Sequence, residues 1–221
     1  MSWSKKSVFL SVLVALSVGR VFGASVPEAL AYYRARAPKS IKVPASAAFI
    51  AILPDRQLML VDLGGGTSVV YRVSTAQAGL GAQANSDRTP TGWHRVKERI
   101  GGKAKIGQLF RSRALVPGKV LPESSWREKD GDKVLSRILW LEGLEPGVNK
   151  DPKGNYDSYL RHIYIHGTNQ EQLLGTPSSH GCIRMGNRDV VRLFDSLKSF
   201  GEVYVLIVDP PPKTVRTKGK K

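Results

Sequence analysis

The chain has 221 residues and a formal net charge of +16, from 34 lysine and arginine residues against 18 aspartate and glutamate residues. Its length suits one domain with a substantial core, and its basic residues follow no aromatic-interleaved pattern, so we expect no nucleic-acid partner. A single cysteine, Cys182, excludes an internal disulfide and leaves an inert filler, an intermolecular link or a reactive thiol.

The N-terminus has the pattern of a secretory signal peptide. Lys5 and Lys6 precede a mostly apolar run over residues 7–18, and small or aliphatic residues occupy the cleavage region up to Gly23. The run is shorter than the roughly 20 residues that span a bilayer. We therefore predict a signal peptide over residues 1–23, a periplasmic mature chain and no stable membrane insertion after cleavage. An uncleaved N-terminal anchor is the alternative.

Removing three basic residues with the signal peptide leaves a net charge of +13. Outside the cytosol such a charge favours anionic wall polymers or lipid headgroups as surroundings. Composition predicts a lead-in over 24–46, a main domain over 47–209 and a basic tail over 210–221 that we expect to be disordered.

The lead-in is predicted to carry a short helix, because Pro27 suits a first helical turn and residues 29–37 are good helix formers. The main domain is predicted to be mostly β, because β-branched and aromatic runs alternate with turn signals. The predicted strands cover residues 49–53, 57–61, 68–74, 93–96, 133–141, 160–166 and 203–208.

One helix is predicted near the C-terminus, over residues 188–199. Its apolar residues recur at helical spacing, Asn187 is the expected N-cap and Gly201 the expected stop. Residues 97–133 are predicted to be a long irregular segment, which in a compact domain is often a lid or a binding loop.

The chemistry-bearing residues concentrate in residues 163–185. A cysteine nucleophile needs a partner that removes its proton, and His166, at the end of a predicted strand, and His180, two residues before Cys182, are both candidates. Backbone N–H groups at Gly181 and Cys182 are suited to stabilise an oxyanion. The pattern favours acyl transfer through a thioester.

A zinc site is the rival interpretation, with His162, His166, His180 and Cys182 as ligands. We disfavour it because a strand at about 3.3 Å per residue would separate His162 from His166 by about 13 Å. A redox thiol is weaker still, since no resolving cysteine exists.

His-Gly-Thr at residues 166–168, followed by Ser-His-Gly-Cys-Ile-Arg at residues 179–184, resembles the signature of the L,D-transpeptidase (YkuD-type) catalytic domain. Residues 74–75 and 89–93 are similar to that family's upstream turns. The resemblance covers roughly residues 47–208. It implies a mostly β fold, a β-sandwich-like L,D-transpeptidase catalytic fold, with one packed α-helix near the C-terminus and a short N-terminal helix.

The resemblance also implies a reaction on peptidoglycan stem peptides without a cofactor or metal. Cys182 would attack the bond before the terminal D-alanine of a stem tetrapeptide, and an amine acceptor would resolve the thioester. His166 would be the general base, Gly167 would orient it through its carbonyl, and His180 would support the site. The residues expected to contact substrate are Arg184, Gly181 and Ser179. A structural ion pair is the alternative for Arg184.

The family resemblance further leads us to expect a covalent carbapenem adduct on Cys182. Two other functions stay open at this point. The same thioester chemistry could serve hydrolysis or D-amino acid exchange, and the domain could be a non-catalytic, basic wall-binding module.

Overall fold

The computed structural model describes residues 20–21, 24–127 and 131–210. The predicted signal peptide therefore lies outside the described residues except for Arg20–Val21, and so does the predicted tail beyond residue 210. Within the described ranges, no helix is long and apolar enough to cross a membrane.

Twelve strands and two α-helices make up the described chain. The helices are α1 (Val26–Arg34) and α2 (Asn187–Ser196), with 3-10 turns at Glu123–Trp126 and Glu171–Leu173. The strands are β1 (Arg20–Val21), β2 (Ala24–Ser25), β3 (Ala48–Leu53), β4 (Leu58–Asp62), β5 (Ser68–Ser74), β6 (Gly92–Ile100), β7 (Gln108–Arg111), β8 (Ala114–Val120), β9 (Val134–Gly143), β10 (Tyr164–Thr168), β11 (Ile183–Met185) and β12 (Val203–Ile207).

The main sheet closes on itself, which corrects the expected sandwich. Its strands run in the order β10-β11-β5-β4-β3-β12-β6-β9, and β9 also pairs with β10. The closure depends on the length of β9. Its ten residues pair with β10 through one half and with β6 through the other. The result is a barrel-like sheet, because a closed sheet leaves no free edge along this ring.

Residues 97–133 are more regular than the sequence predicted. They contain the end of β6 and the β7–β8 hairpin, which pairs with β9 outside the ring. Buried and exposed residues alternate only weakly in this hairpin, because β8 is exposed along most of its length. That exposure explains why hydrophobic periodicity did not reveal it.

Strand β3 separates the two larger cores, since all six of its residues are buried. A strand covered on both faces has a continuous hydrophobic sequence instead of an alternating one. One face joins the core that includes α2, with Ile50 and Ile52 beside Val190 and Leu193. The other face packs under α1, where Phe49 stacks on Trp93 with 5.5 Å between ring centroids.

Both helices differ from the prediction at their ends. Helix α1 begins at Val26, with Pro27 in its first turn as expected and Ser25 and Glu28 forming a capping box, but it ends at Arg34, three residues before the predicted limit. In α2 the N-cap is Gly186, and the helix ends at Ser196, well before Gly201. Asn187 is the first helical residue, and Glu171 Oε1 accepts a hydrogen bond from its N–H at 2.6 Å.

Candidate active site

Parallel pairing of β10 with β11 brings the two halves of the motif together. Ile165 lies opposite Ile183, and His166 lies opposite Arg184. The two isoleucines point into the barrel core. Because neighbouring residues of a strand point to opposite faces, His166, Arg184 and Cys182 share the outer face of the sheet. Cys182 packs there against an apolar cluster that includes Tyr164.

The Cys182 thiol is partly buried and held by backbone groups. Its Sγ accepts a hydrogen bond from the Tyr164 N–H at 3.4 Å and donates one to the His162 carbonyl, also at 3.4 Å. Desolvation by burial raises the pKa of this thiol to about 11, although the Tyr164 N–H opposes the rise. The resting cysteine is therefore a neutral thiol that needs a base.

His166 is suited to be that base. The ring is 1% exposed, and its Nδ1 lies 2.8 Å from the Gly167 carbonyl oxygen. A carbonyl only accepts, so Nδ1 carries the hydrogen and the Nε2 lone pair is left to take a proton. Burial holds the pKa of His166 below its ordinary value of 6.5, with nearby Asp132 opposing and Arg184 reinforcing the shift. The imidazole is neutral at pH 7.

Gly167 has a steric reason to be glycine. A Cβ at this position would lie 2.4 Å from Asn187 Oδ1 and 2.8 Å from the Leu135 carbonyl oxygen. The pairing of β10 with β9 also shifts register between His166 and Gly167. The close approach of Asn187, which itself donates to the Thr168 carbonyl at 2.7 Å, fixes the backbone that carries the Gly167 carbonyl.

Arg184 is engaged by protein groups. Its guanidinium is 1% exposed and pairs with Asp132 at 2.6 Å, and it also donates to Gln170 at 2.8 Å and to Ser178 at 3.2 Å. This geometry matches the structural alternative for Arg184, and a substrate carboxylate has no access to it here. Asp132 carries no local signal in the sequence, because it lies in the segment predicted to be an irregular loop, 52 residues before its partner.

The Ser-Ser-His-Gly-Cys turn is held by its own side chains. The Ser179 hydroxyl donates to the Cys182 carbonyl at 2.6 Å and accepts from the Gly181 N–H at 3.3 Å. Thr89 donates to the Gly181 carbonyl at 2.9 Å. Gly181 has φ +127°, a conformation that favours glycine. Ser179 therefore shapes the turn. Its hydroxyl already engages the Gly181 N–H, so of the two expected oxyanion donors only the Cys182 N–H remains.

His180 lies at the surface. Its side chain is 68% exposed, and its Nδ1 lies 3.7 Å from Asp132 Oδ2. Sharing a short segment with Cys182 therefore does not make it the partner of the thiol, and the Asp132 carboxylate links it to Arg184 instead.

His162 is in a turn and not, as predicted, in a strand. Its φ is +55°, and β10 begins only at Tyr164. The strand spacing used against a zinc site is therefore wrong for this residue. Among residues 24–127 and 131–210, no three His, Cys, Asp or Glu side chains are arranged to hold a metal ion.

A cavity of about 290 Å³ opens beside Cys182. His166 is not among its lining residues. Arg161 is, and its guanidinium donates to three carbonyl oxygens of the opposite loop, those of Gly81, Ala82 and Arg88, at 3.3, 2.8 and 2.8 Å. The full lining is Ala84, Asn85, Asp87, Gly154, Leu160, Arg161, His162, Ile163, His180 and Cys182.

Comparison with known sequences connects this geometry to a family. A family model described as the L,D-transpeptidase catalytic domain (YkuD) matches residues 46–205. The chain is 33% identical over 82 residues to the probable L,D-transpeptidase YbiS of Escherichia coli K12, covering 37% of this chain and 26% of that protein. It is 38% identical over 74 residues to the probable L,D-transpeptidase ErfK/SrfK of the same strain, covering 33% and 23%. The chain thus spans about a quarter of the length of these curated relatives.

Solved structures match at lower sequence identity. An L,D-transpeptidase from Mycobacterium smegmatis aligns with a TM-score of 0.44 at 15% identity, covering 74% of this chain and 59% of that one. The cell shape determining protein Pgp2 of Campylobacter jejuni, as its K307A mutant, aligns with a TM-score of 0.41 at 14% identity, covering 75% and 48%. The family match, which covers most of the chain, carries the assignment: this chain belongs to the L,D-transpeptidase (YkuD) catalytic-domain family.

Proposed function

We propose that this protein is an exported peptidoglycan L,D-transpeptidase that works through a thioester on Cys182. The observation that carries the proposal is the hydrogen bond from His166 Nδ1 to the Gly167 carbonyl at 2.8 Å. It leaves Nε2 as a proton acceptor on the same sheet face as the only cysteine of the chain. Family membership supplies the substrate class, the stem peptides of peptidoglycan.

The first half of the reaction forms the acyl-enzyme. The Cys182 thiol transfers its proton to His166 Nε2 while Sγ bonds to the carbonyl carbon that precedes the terminal D-alanine. The C–N bond of the tetrahedral intermediate then breaks, and the leaving D-alanine amine takes the proton from His166. Because the thiol pKa is about 11 and the imidazole is neutral, proton transfer accompanies the attack instead of preceding it.

The second half repeats these steps with a different amine. An acceptor amine attacks the thioester carbon and gives a proton to His166, the C–S bond breaks, and Sγ takes the proton back. The product is a 3→3 cross-link between stems, or the attachment of a protein to the wall. No feature of the family match supports the hydrolase alternative.

The supporting residues act on the geometry of this pair. Gly167 orients the imidazole, the Cys182 N–H stabilises the oxyanion, and Ser179 with Gly181 shapes the turn that presents Sγ. His180 supports the site from its exposed edge. Export would be mediated by residues 1–23, and the mature N-terminus of the periplasmic protein, determined by mass spectrometry, tests cleavage after Gly23.

The central experiment is intact-mass analysis of the purified protein with a carbapenem and with a stem tetrapeptide. We expect one covalent adduct on Cys182 with each, and release of one D-alanine per thioester. Cys182→Ala should form neither, while Glu202→Gln, on an exposed loop, should form both. An adduct that survives Cys182→Ala contradicts the mechanism. Sacculus binding without any turnover would instead support the wall-binding module.

A further inference from the structure

The cavity and the base lie on opposite sides of Cys182. Strand β10 runs from Tyr164 to Thr168, and the Tyr164 N–H contacts Cys182 Sγ at 3.4 Å. His166 follows Tyr164 along the strand, whereas the lining residues 161–163 precede it. Along the direction of β10, the order is therefore cavity, thiol, base.

This order decides how an acyl donor must lie. The nitrogen that leaves, and the nitrogen that later attacks, both exchange a proton with His166 and so sit on its side of Sγ. The rest of the acyl group is bonded to the same carbonyl carbon and has to extend the other way. That direction leads into the cavity, so the cavity faces the donor residue whose carbonyl forms the thioester.

The volume fits one side chain. Pockets that hold a drug-sized ligand start at roughly 300 Å³, and this cavity measures about 290 Å³. The side chain next to the scissile carbonyl therefore fits in this space.

The cavity lining carries one carboxylate, Asp87, and one guanidinium, Arg161, and the two charges interact electrostatically. Asp87 is exposed and makes no hydrogen bond or close ion pair among the described residues. Arg161 is the cation of the lining, and its guanidinium already donates to three backbone carbonyls. Burial and the nearby Arg113 lower the pKa of His162, so that ring is neutral at pH 7. His180 lies at 3.7 Å from Asp132.

We propose that this cavity binds the donor side chain next to the scissile carbonyl, and that Asp87 selects donors whose side chain ends in an ammonium group. The proposal rests on the proposed function and deepens it by naming the residue that recognises the donor side chain. Arg161 is a positioning residue here, because its three hydrogen bonds hold the loop that carries Asp87 across the cavity.

Two tetrapeptide donors test the selectivity of the full-length protein. They differ only at the third residue, a lysine with either a free or an acetylated side-chain amine, and the rate of Cys182 acylation is followed by mass spectrometry. Since an ion pair between exposed groups is worth a factor of about five at most, we expect the free amine to react about fivefold faster. Asp87→Asn should bring the two rates together, whereas Glu202→Gln, which also removes one negative charge, should keep them apart.

A charge reversal at residue 87 separates a change in selectivity from a general loss of activity. Asp87→Lys should favour a donor with glutamate at the third position over the lysine donor. Iodoacetamide alkylation of Cys182 monitors thiol reactivity in every variant and should not change. Equal rates for the free and acetylated donors in the wild type would overturn the Asp87 proposal and leave the transpeptidase proposal standing. Absence of acylation by every donor and by a carbapenem would instead overturn the proposed function.

Discussion

The two sides of Cys182 are built differently. On the base side, His166 and Arg184 are each 1% exposed, and the Arg184 charge is paired with Asp132 at 2.6 Å. On the cavity side, Asp87 is exposed and makes no hydrogen bond or close ion pair within the described part of the chain, and the Arg161 N–H groups donate to backbone carbonyls. Proton transfer needs a fixed tautomer in a dry site, whereas recognition needs groups that a substrate can reach.

Charge pairing on the base side also explains which effect controls the pKa of His166. Asp132 raises its pKa and Arg184 lowers it, so the paired charges oppose one another. Burial is the largest influence and outweighs Asp132 and the Gly167 hydrogen bond, which both raise the pKa, so the imidazole stays neutral. The comparison therefore predicts that base-side changes alter rate, pH dependence and stability, while cavity-side changes mainly alter selectivity.

Replacing the base should have the largest effect. His166→Gln is expected to slow Cys182 acylation at pH 7 about 1000-fold, which corresponds to about 4 kcal/mol, the middle of the range for general base catalysis. The wild-type rate should rise as His166 loses its proton at a pKa below 6.5 and then stay level. In the variant the rate should instead climb with pH toward the thiol pKa of about 11.

Stopped-flow acylation by a chromogenic β-lactam from about pH 5 to about pH 10 measures both profiles, because this range brackets the ordinary histidine pKa and approaches that of the thiol. His180→Gln is the matched control, a histidine of the same motif that is 68% exposed. It should leave the profile shape intact. A loss as large as that of His166→Gln would make His180 the base.

Breaking the ion pair is expected to come next. Asp132→Asn leaves the buried Arg184 guanidinium without its anion and should cost about 3 kcal/mol of unfolding free energy, the low end for a broken buried pair. Because Asp132 raises the pKa of His166, its loss should move the acid limb of the pH–rate profile to lower pH.

Urea unfolding and the pH–rate profile are the two measurements for this variant. The double variant Asp132→Asn/Arg184→Gln removes both charges and should recover much of the lost stability. An acid limb that moves to higher pH in Asp132→Asn would contradict the assigned direction.

Glycine at position 167 should matter through packing. Gly167→Ala puts a Cβ 2.4 Å from Asn187 Oδ1, and we expect about 2 kcal/mol of destabilisation, as for overpacked cores, together with slower acylation. Gly201→Ala is the control, because nothing lies within 4 Å of a Cβ there. Thermal unfolding of the two variants should differ clearly, and equal melting temperatures would disprove the steric argument.

The smallest effect is expected on the cavity side. Arg161→Lys cannot reproduce a planar group that donates to three carbonyls, so we expect a loss of about 1 kcal/mol in stability. Selectivity between free and acetylated donors should also narrow, while the pH–rate profile keeps its shape. A shift of the acid limb in this variant would mean that the two sides of Cys182 are not separate.

Local sequence features determined several parts of this structure. Turn residues predicted the β3–β4 hairpin, with strands observed at Ala48–Leu53 and Leu58–Asp62, and the predicted limits of β5 coincide with Ser68–Ser74. Helical periodicity revealed α2, because its apolar stripe packs on one core. These features depend on neighbours along the chain, so they are visible in the sequence.

The remaining features, including the choice of base and the closure of the sheet, depend on long-range contacts. The sequence by itself determined the thiol, two candidate histidines and a family signature, but it could not choose between His166 and His180 by spacing. Parallel pairing of β10 with β11, strands 15 residues apart from Thr168 to Ile183, puts His166 on the face of Cys182 and buries it. Pairing of β9 with two strands closes the barrel, and the fold brings Asp132 to Arg184 and Asp87 to the thiol. No local pattern encodes such contacts, because their energy comes from burial and charge pairing between segments that meet only in the folded chain.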